Sequence, residues 1–188
     1  MYSFPMKKHH LFILFLGFFA FGLSSFTSDE QPQKLDEPLY DTLHFQSLVV
    51  AGIKLGSPYG KVLEKLGSPD SVRKEATPDA QTADHFEEYL YGTDVFYVMD
   101  ETFSGFELKT PRFQVESLGG LKVGDSASKL KKLFPISYKN REIDEFNPAW
   151  VTYSVQFGTS DSFLEIYTQD GKIITISTVT DDEEEEEE

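Results

Sequence analysis

Two stretches of the chain match one another: FQSLVVAGIKLGSPYGKVLEKL at residues 45–66 and FQVESLGGLKVGDSASKLKKLF at residues 113–134. They align without a gap at an offset of 68 residues, which pairs Gly56 with Gly124. Internal similarity at a fixed offset is typical of a repeated structural unit. We therefore expect Gly56 and Gly124 to occupy equivalent tight turns with positive φ, a conformation that glycine adopts without strain.

Each stretch also carries the signals of a short helix. Ser57 suits the N-cap and Pro58 the first helical position, while Gly67 suits the left-handed residue that ends a helix. In the second stretch the candidate N-cap is Asp125 or Ser126, because both side chains accept hydrogen bonds from free backbone N–H groups.

Alternating apolar and polar residues follow each predicted helix. Val151, Tyr153 and Val155 recur at period two, which indicates a strand with one buried face. The predicted fold class is α+β, with two tandem units at residues 44–111 and 112–180. Each unit is expected to be a capped helix segment packed on a three- to four-stranded antiparallel β-meander.

The N-terminus has the order of a secretory signal peptide. Lys7 and Lys8 precede an apolar run at residues 11–23, and small residues follow it. A transmembrane anchor is the alternative, but the run is short against the roughly 20 residues that span a bilayer. We predict a signal peptide at residues 1–28, an exposed linker at residues 29–43, a periplasmic or secreted location, and no stable membrane span after cleavage.

The formal net charge is −15, and the chain has no cysteine. An acidic protein repels phosphate backbones, so we expect no nucleic-acid partner. Residues 181–188, DDEEEEEE, predict a disordered acidic tail. Such a tail can bind calcium weakly, attract a basic partner or add solubility; the lack of a calcium-loop spacing favours solubility.

Residues 53–69 follow the pattern I-K-L-G-S-x-x-x-x-V-x-x-x-L-G-S-P. This pattern resembles the opening motif of the superfamily that contains the BamE (SmpA/OmlA) outer-membrane assembly lipoproteins and the β-lactamase inhibitory protein. The resemblance extends over both predicted units. It implies a helix followed by an antiparallel meander, and a concave sheet that grips a partner protein.

The sequence offers little for catalysis or metal binding. Outside the N-terminal segment the histidines are His44 and His85, and their spacing does not match a metal-ligand motif. Ser104 lacks the glycines of a nucleophile elbow. We therefore predict no catalytic residues, no metal and no cofactor.

Strand alternation predicts a binding face on the sheet. If Leu164 and Ile166 face the helix, strand alternation points Phe163 and Tyr167 outward. Aligning the aspartates at positions 94 and 161 pairs Phe96 with Phe163, so Phe96 is also expected to point outward. Exposed aromatic residues on a rigid sheet suit protein recognition.

The predicted function is an exported, non-catalytic protein-binding module of the bacterial cell envelope or exterior, of the envelope-assembly or enzyme-inhibitor type. The partner is expected to be another protein. The alternative is a small-ligand carrier that binds in the cleft between the two units.

Overall fold

The computed structural model describes residues 37–74 and 86–180. The predicted signal peptide at residues 1–28 and the predicted tail at residues 181–188 lie outside the described residues. Most of the described part consists of β-strands, and its helical segments are short.

The described elements follow one another in chain order. The strands are β1 (Thr42–Leu43), β2 (Val49–Val50), β3 (Ile53–Lys54), β4 (Ser71–Lys74), β5 (Phe86–Tyr91), β6 (Asp94–Met99), β7 (Thr102–Leu108), β8 (Glu142–Ile143), β9 (Trp150–Phe157), β10 (Ser162–Gln169) and β11 (Lys172–Thr180). The α-helices are α1 (Gly60–Leu66), α2 (Leu130–Leu133) and α3 (Pro135–Lys139). Three 3₁₀ turns cover Phe45–Ser47, Glu116–Leu118 and Ala127–Lys129.

One mixed sheet of nine strands dominates the fold, in the order β1-β9-β10-β11-β7-β6-β5-β4, with β8 also paired to β9. The predicted α+β fold of two capped-helix units is therefore wrong. The two meanders merge because β7 and β11 pair antiparallel, with Leu108 opposite Ile176 and Glu107 opposite Ser177. Helices of seven residues or fewer pack on this sheet, so the described part of the chain is mostly β.

The first helix begins later than the cap signals predicted. Its N-cap is Tyr59, which makes no side-chain capping bond, and the helix runs from Gly60. Ser57 lies upstream in a turn that pairs with β7: Gly56 N–H donates to the Phe103 carbonyl at 2.9 Å, and Phe103 N–H donates to the Ser57 carbonyl at 2.8 Å. The prediction of Ser57 as the N-cap was wrong, because the backbone of Ser57 is hydrogen-bonded to β7 and the helix starts only beyond it.

The second glycine turn makes the same contacts with β11. Gly124 N–H donates to the Ile173 carbonyl at 2.8 Å, and Ile173 N–H donates to the Asp125 carbonyl at 2.9 Å. The φ angles are 80° at Gly56 and 89° at Gly124. The structure thus places both glycines in positive-φ turns, each docked on the edge of a hairpin.

The likeness of the two halves continues into the hairpins β6–β7 and β10–β11. In the first, Val98 lies opposite Phe103 and Tyr97 opposite Gly105; in the second, Thr168 lies opposite Ile173 and Tyr167 opposite Thr175. Both hairpins contain a β-bulge at the same step, 70 residues apart. A bulge re-aims the side chains beyond it, so the two hairpins present matching positions on matching faces.

A single hydrophobic core lies between the helical segments and one face of the sheet. Each fully buried Phe, Leu or Ile side chain stabilises the fold by about 1.5–3 kcal/mol. Members from both halves of the sheet and from α1 and α2 include Val62, Phe96, Phe103, Phe106, Leu130, Leu164, Ile166 and Ile176.

The segment before the first glycine turn belongs to the sheet. The predicted linker extended to residue 43, but Thr42 and Leu43 form β1, which pairs in parallel with β9. Asp41 anchors this segment to α3: its N–H donates to Ser137 Oγ at 2.9 Å, and its Oδ2 accepts from Ser137 N–H at 2.8 Å.

Candidate binding face of the sheet

The side of the sheet that carries Phe163, Glu165 and Tyr167 faces away from the core, and we call it the outer face. Leu164 and Ile166, between these residues on β10, are fully buried on the opposite side. Phe163 and Tyr167 are half-buried, so part of each ring reaches solvent. They lie four residues apart on one strand and therefore share this face.

Phe96 does not lie on the outer face, and that prediction was wrong. Its exposure is 0%, and its ring contacts Phe103 and Phe113 with centroid distances of 5.5 and 5.3 Å. The hairpins match at an offset of 70 residues, whereas pairing the two aspartates assumed 67. An odd error in register turns every side chain of a strand to the other face.

Tyr97, rather than Phe96, points to the outer face. It is the counterpart of Tyr167, stacks on Phe86 with a centroid distance of 5.6 Å, and is half-buried. Burial, followed by the charges of Glu107 and Glu88, raises the pKa of Tyr97 to about 12. Aligning the turn Asp170-Gly171 with residues 100–101 would have identified Tyr97 from the sequence.

Carboxylates lie beside both tyrosines. The Tyr167 hydroxyl donates a hydrogen bond to Glu165 Oε2, and burial, then Glu165, then Glu107 raise the pKa of Tyr167. Glu107 thus acts on both tyrosines; its own ion pair is with Lys109 at 2.7 Å. The outer face therefore combines aromatic rings with negative charge.

A cleft opens where β7 and β11 diverge. Beyond the pairing of Glu107 with Ser177 the two backbones separate, and the Thr178 hydroxyl bridges them by accepting from Phe106 N–H at 3.0 Å. The cleft has a volume of about 600 Å³, and its aromatic and aliphatic lining residues are Phe45, Phe86, Tyr97, Met99, Phe157 and Val179.

The loop between β8 and β9 presents an exposed aromatic side chain. Phe146 is 96% exposed, and the loop is fixed by Asp144 Oδ1, which accepts from the N–H groups of Phe146 at 2.9 Å and Asn147 at 2.6 Å. Ile143 and Trp150 flank it and are also exposed. Sequence reasoning missed this loop, although Asp144-Glu145-Phe146-Asn147-Pro148 has the composition of a turn.

Neither a metal site nor a membrane-spanning helix is found in the part of the chain that the structure describes. Across residues 37–74 and 86–180, His, Asp and Glu side chains do not gather in groups of three or more that suit a metal ion. Over the same residues, every helix is too short or too polar to cross a bilayer.

Comparisons with protein families, curated proteins and solved structures found no match to this chain. The resemblance of residues 53–69 to the BamE and β-lactamase inhibitory protein superfamily therefore stays a prediction.

Proposed function

We propose that this chain is an exported, non-catalytic protein-binding module of the bacterial cell envelope or exterior. The observation that supports the proposal is the outer face, where Tyr97, Phe163 and Tyr167 stand half-exposed among carboxylates. These rings are fixed on strands, so a partner buries apolar area while few side chains lose conformational freedom.

The charge of the face defines the kind of partner. Glu165 adds negative charge beside the rings, while the charge of Glu107 is balanced by Lys109, in a chain whose net charge is −15. A surface of this kind attracts a basic protein surface and repels an acidic one. Both envelope assembly and enzyme inhibition are served by such a face, and the identity of the bound protein distinguishes them.

Position-specific photocrosslinking in bacterial cells tests the proposal. The full chain would carry benzoylphenylalanine in place of Tyr97, Phe163 or Tyr167, with Leu63 on α1 as the control position because its side chain is also partly exposed. We expect light-dependent adducts with another protein from the three outer-face positions and none from position 63. Equal adducts from all four positions, or none from any, would contradict binding through this face.

Export is tested separately by cell fractionation and N-terminal sequencing. We expect the chain in the periplasm or medium, beginning near residue 29, because residues 1–28 have the order of a signal peptide. An uncleaved chain in the cytoplasm would contradict the proposed location.

The alternative function, a small-ligand carrier, is favoured by one observation, the cleft of about 600 Å³ between β7 and β11. Binding clefts of about 300–1,000 Å³ accommodate drug-sized ligands. Saturable binding of a hydrophobic dye that is lost in Met99→Glu and retained in Phe163→Ala would favour the carrier over the protein-binding module.

A further inference from the structure

One recess in the outer face has aromatic walls and acidic groups. It encloses about 430 Å³, and its lining includes the rings of Tyr40, Phe163 and Tyr167 and the carboxylates of Glu142 and Glu165. Tyr40 meets Phe163 edge to face, with ring centroids 5.2 Å apart. Aromatic faces attract cations through their quadrupole, and carboxylates bind them through charge-assisted hydrogen bonds.

The backbone on both sides of Tyr40 is anchored, which fixes the recess before any ligand enters. The Leu39 carbonyl accepts from Asn140 Nδ2 at 2.9 Å. On the other side, Asp41 exchanges two hydrogen bonds with Ser137 of α3, at 2.9 and 2.8 Å. A preformed site binds more tightly because little conformational entropy is lost on binding.

The negative charge of the recess is not neutralised by the described residues. Across residues 37–74 and 86–180, neither Glu142 nor Glu165 forms an ion pair. The lining contains no lysine, arginine or histidine. The Tyr167 hydroxyl hydrogen-bonds to one oxygen of Glu165, Oε2, and leaves the other oxygen available to a ligand.

We propose that this recess binds the cationic head of a lysine or arginine side chain that projects from the partner protein. The inference rests on the proposed function, since the partner supplies the cation. An ammonium or guanidinium group satisfies both the rings and Glu165, whereas a neutral apolar group leaves the carboxylate unpaired and an anion is repelled.

Titration of the full chain, followed by NMR, tests the inference with defined probes. N-acetyl-lysine methylamide and N-acetyl-arginine methylamide should bind saturably. The neutral isostere N-acetyl-norleucine methylamide should bind roughly tenfold more weakly, because it forms neither the ion pair nor the cation–π contact.

Three variants separate the recess from general charge. Glu165→Gln keeps the shape and should weaken lysine binding roughly tenfold. Tyr40→Leu keeps apolar volume but removes a ring, and should weaken it severalfold. Glu116→Gln removes an exposed carboxylate outside the recess and should change nothing. Thermal melting of each variant verifies that the fold is intact.

Several results would overturn the inference. Equal binding of the lysine and norleucine probes would remove the role of charge, and an unchanged affinity in a folded Glu165→Gln variant would remove the role of the recess. Binding of free butylammonium without binding of the capped amino acids would identify a small-amine site and refute a partner side chain. Photocrosslinks from position 163 without cation binding would refute this inference alone and leave the proposed function standing.

Discussion

The junction of β7 and β11 predicts a strong effect for Gly105→Ala. A Cβ added at Gly105 would collide with Thr178 Oγ1 and lie 3.2 Å from the Tyr97 ring. Thr178 Oγ1 is the atom that accepts from Phe106 N–H at 3.0 Å. The methyl group therefore cannot enter unless this hydroxyl moves and its hydrogen bond breaks.

The expected loss is about 2–4 kcal/mol of unfolding free energy. Overpacking contributes about 1–3 kcal/mol, and the lost hydrogen bond adds about 1 kcal/mol. Urea unfolding measures the loss, followed by the fluorescence of Trp150, the only tryptophan in the chain, and by circular dichroism. Gly60→Ala is the matched control, because a Cβ at Gly60 meets nothing within 4 Å and the residue is helical. It should be neutral or stabilise by up to about 1 kcal/mol.

A double-mutant cycle assigns the loss to the contact itself. Thr178→Ala alone should cost about 1–3 kcal/mol, since the Phe106 N–H loses its acceptor. Combined with Gly105→Ala, the total should fall short of the sum by at least about 1 kcal/mol, because the colliding hydroxyl is gone. Strict additivity, or a Gly105→Ala cost near zero, would refute this account of the junction.

Three further predictions concern single side chains. Asp94 is fully buried and accepts from the N–H groups of Lys109 at 2.7 Å and Thr110 at 2.9 Å. Asp94→Ala should therefore lower the free energy of unfolding in urea by about 2–4 kcal/mol, and a loss below about 1 kcal/mol would contradict this. The pKa of Tyr97 is raised to about 12, above the unfolded value of about 10. Its contribution to stability is full below pH 10 and is lost between pH 10 and 12, so Tyr97→Phe should reduce the loss measured by alkaline melting, and an unchanged loss would refute the assignment. Phe146→Ser should leave the melting temperature unchanged because the ring is 96% exposed, and a clear drop would mean that the ring packs on the fold.

The glycine turns were the part of the fold that the sequence predicted most directly. Gly56 and Gly124 sit in positive-φ turns with matching partners on β7 and β11. A positive φ leaves a local signal, because few other residues adopt it without strain. The hairpin at Asp170-Gly171 was predictable for the same reason.

The merging of the two meanders had no local signal. It depends on two residue pairs between β7 and β11, about 70 positions apart, and any exposed strand edge offers the same backbone groups. The first helix begins at Gly60 rather than at the predicted Pro58, because Ser57 first pairs with Phe103 of β7, a contact that leaves no signal in the local sequence.

The candidate site was predicted on one half of the sheet and missed on the other. Alternation alone placed Phe163 and Tyr167, since Leu164 and Ile166 fix the buried side of β10. On the other half, the outward residue could be identified only from the correct offset between the two hairpins. Pairing the two aspartates gave the wrong offset, so Phe96 was predicted in place of Tyr97. Nothing in the local sequence indicated that Tyr40 lines the recess. The strand that follows it, β1, pairs with β9, which lies over a hundred residues later in the chain.

The parallel pairing of β1 with β9 imposes an order on folding. Thr42 and Leu43 are made before their partners, Gln156 and Phe157, which lie 114 positions further along the chain. Until those residues are made, β1 has no strand to pair with. Contacts between residues that are far apart in sequence form slowly. The edge of β9 is therefore covered by β1 only after residue 157 has been made, so this contact forms after the hairpin of β6 and β7 is already complete in the chain.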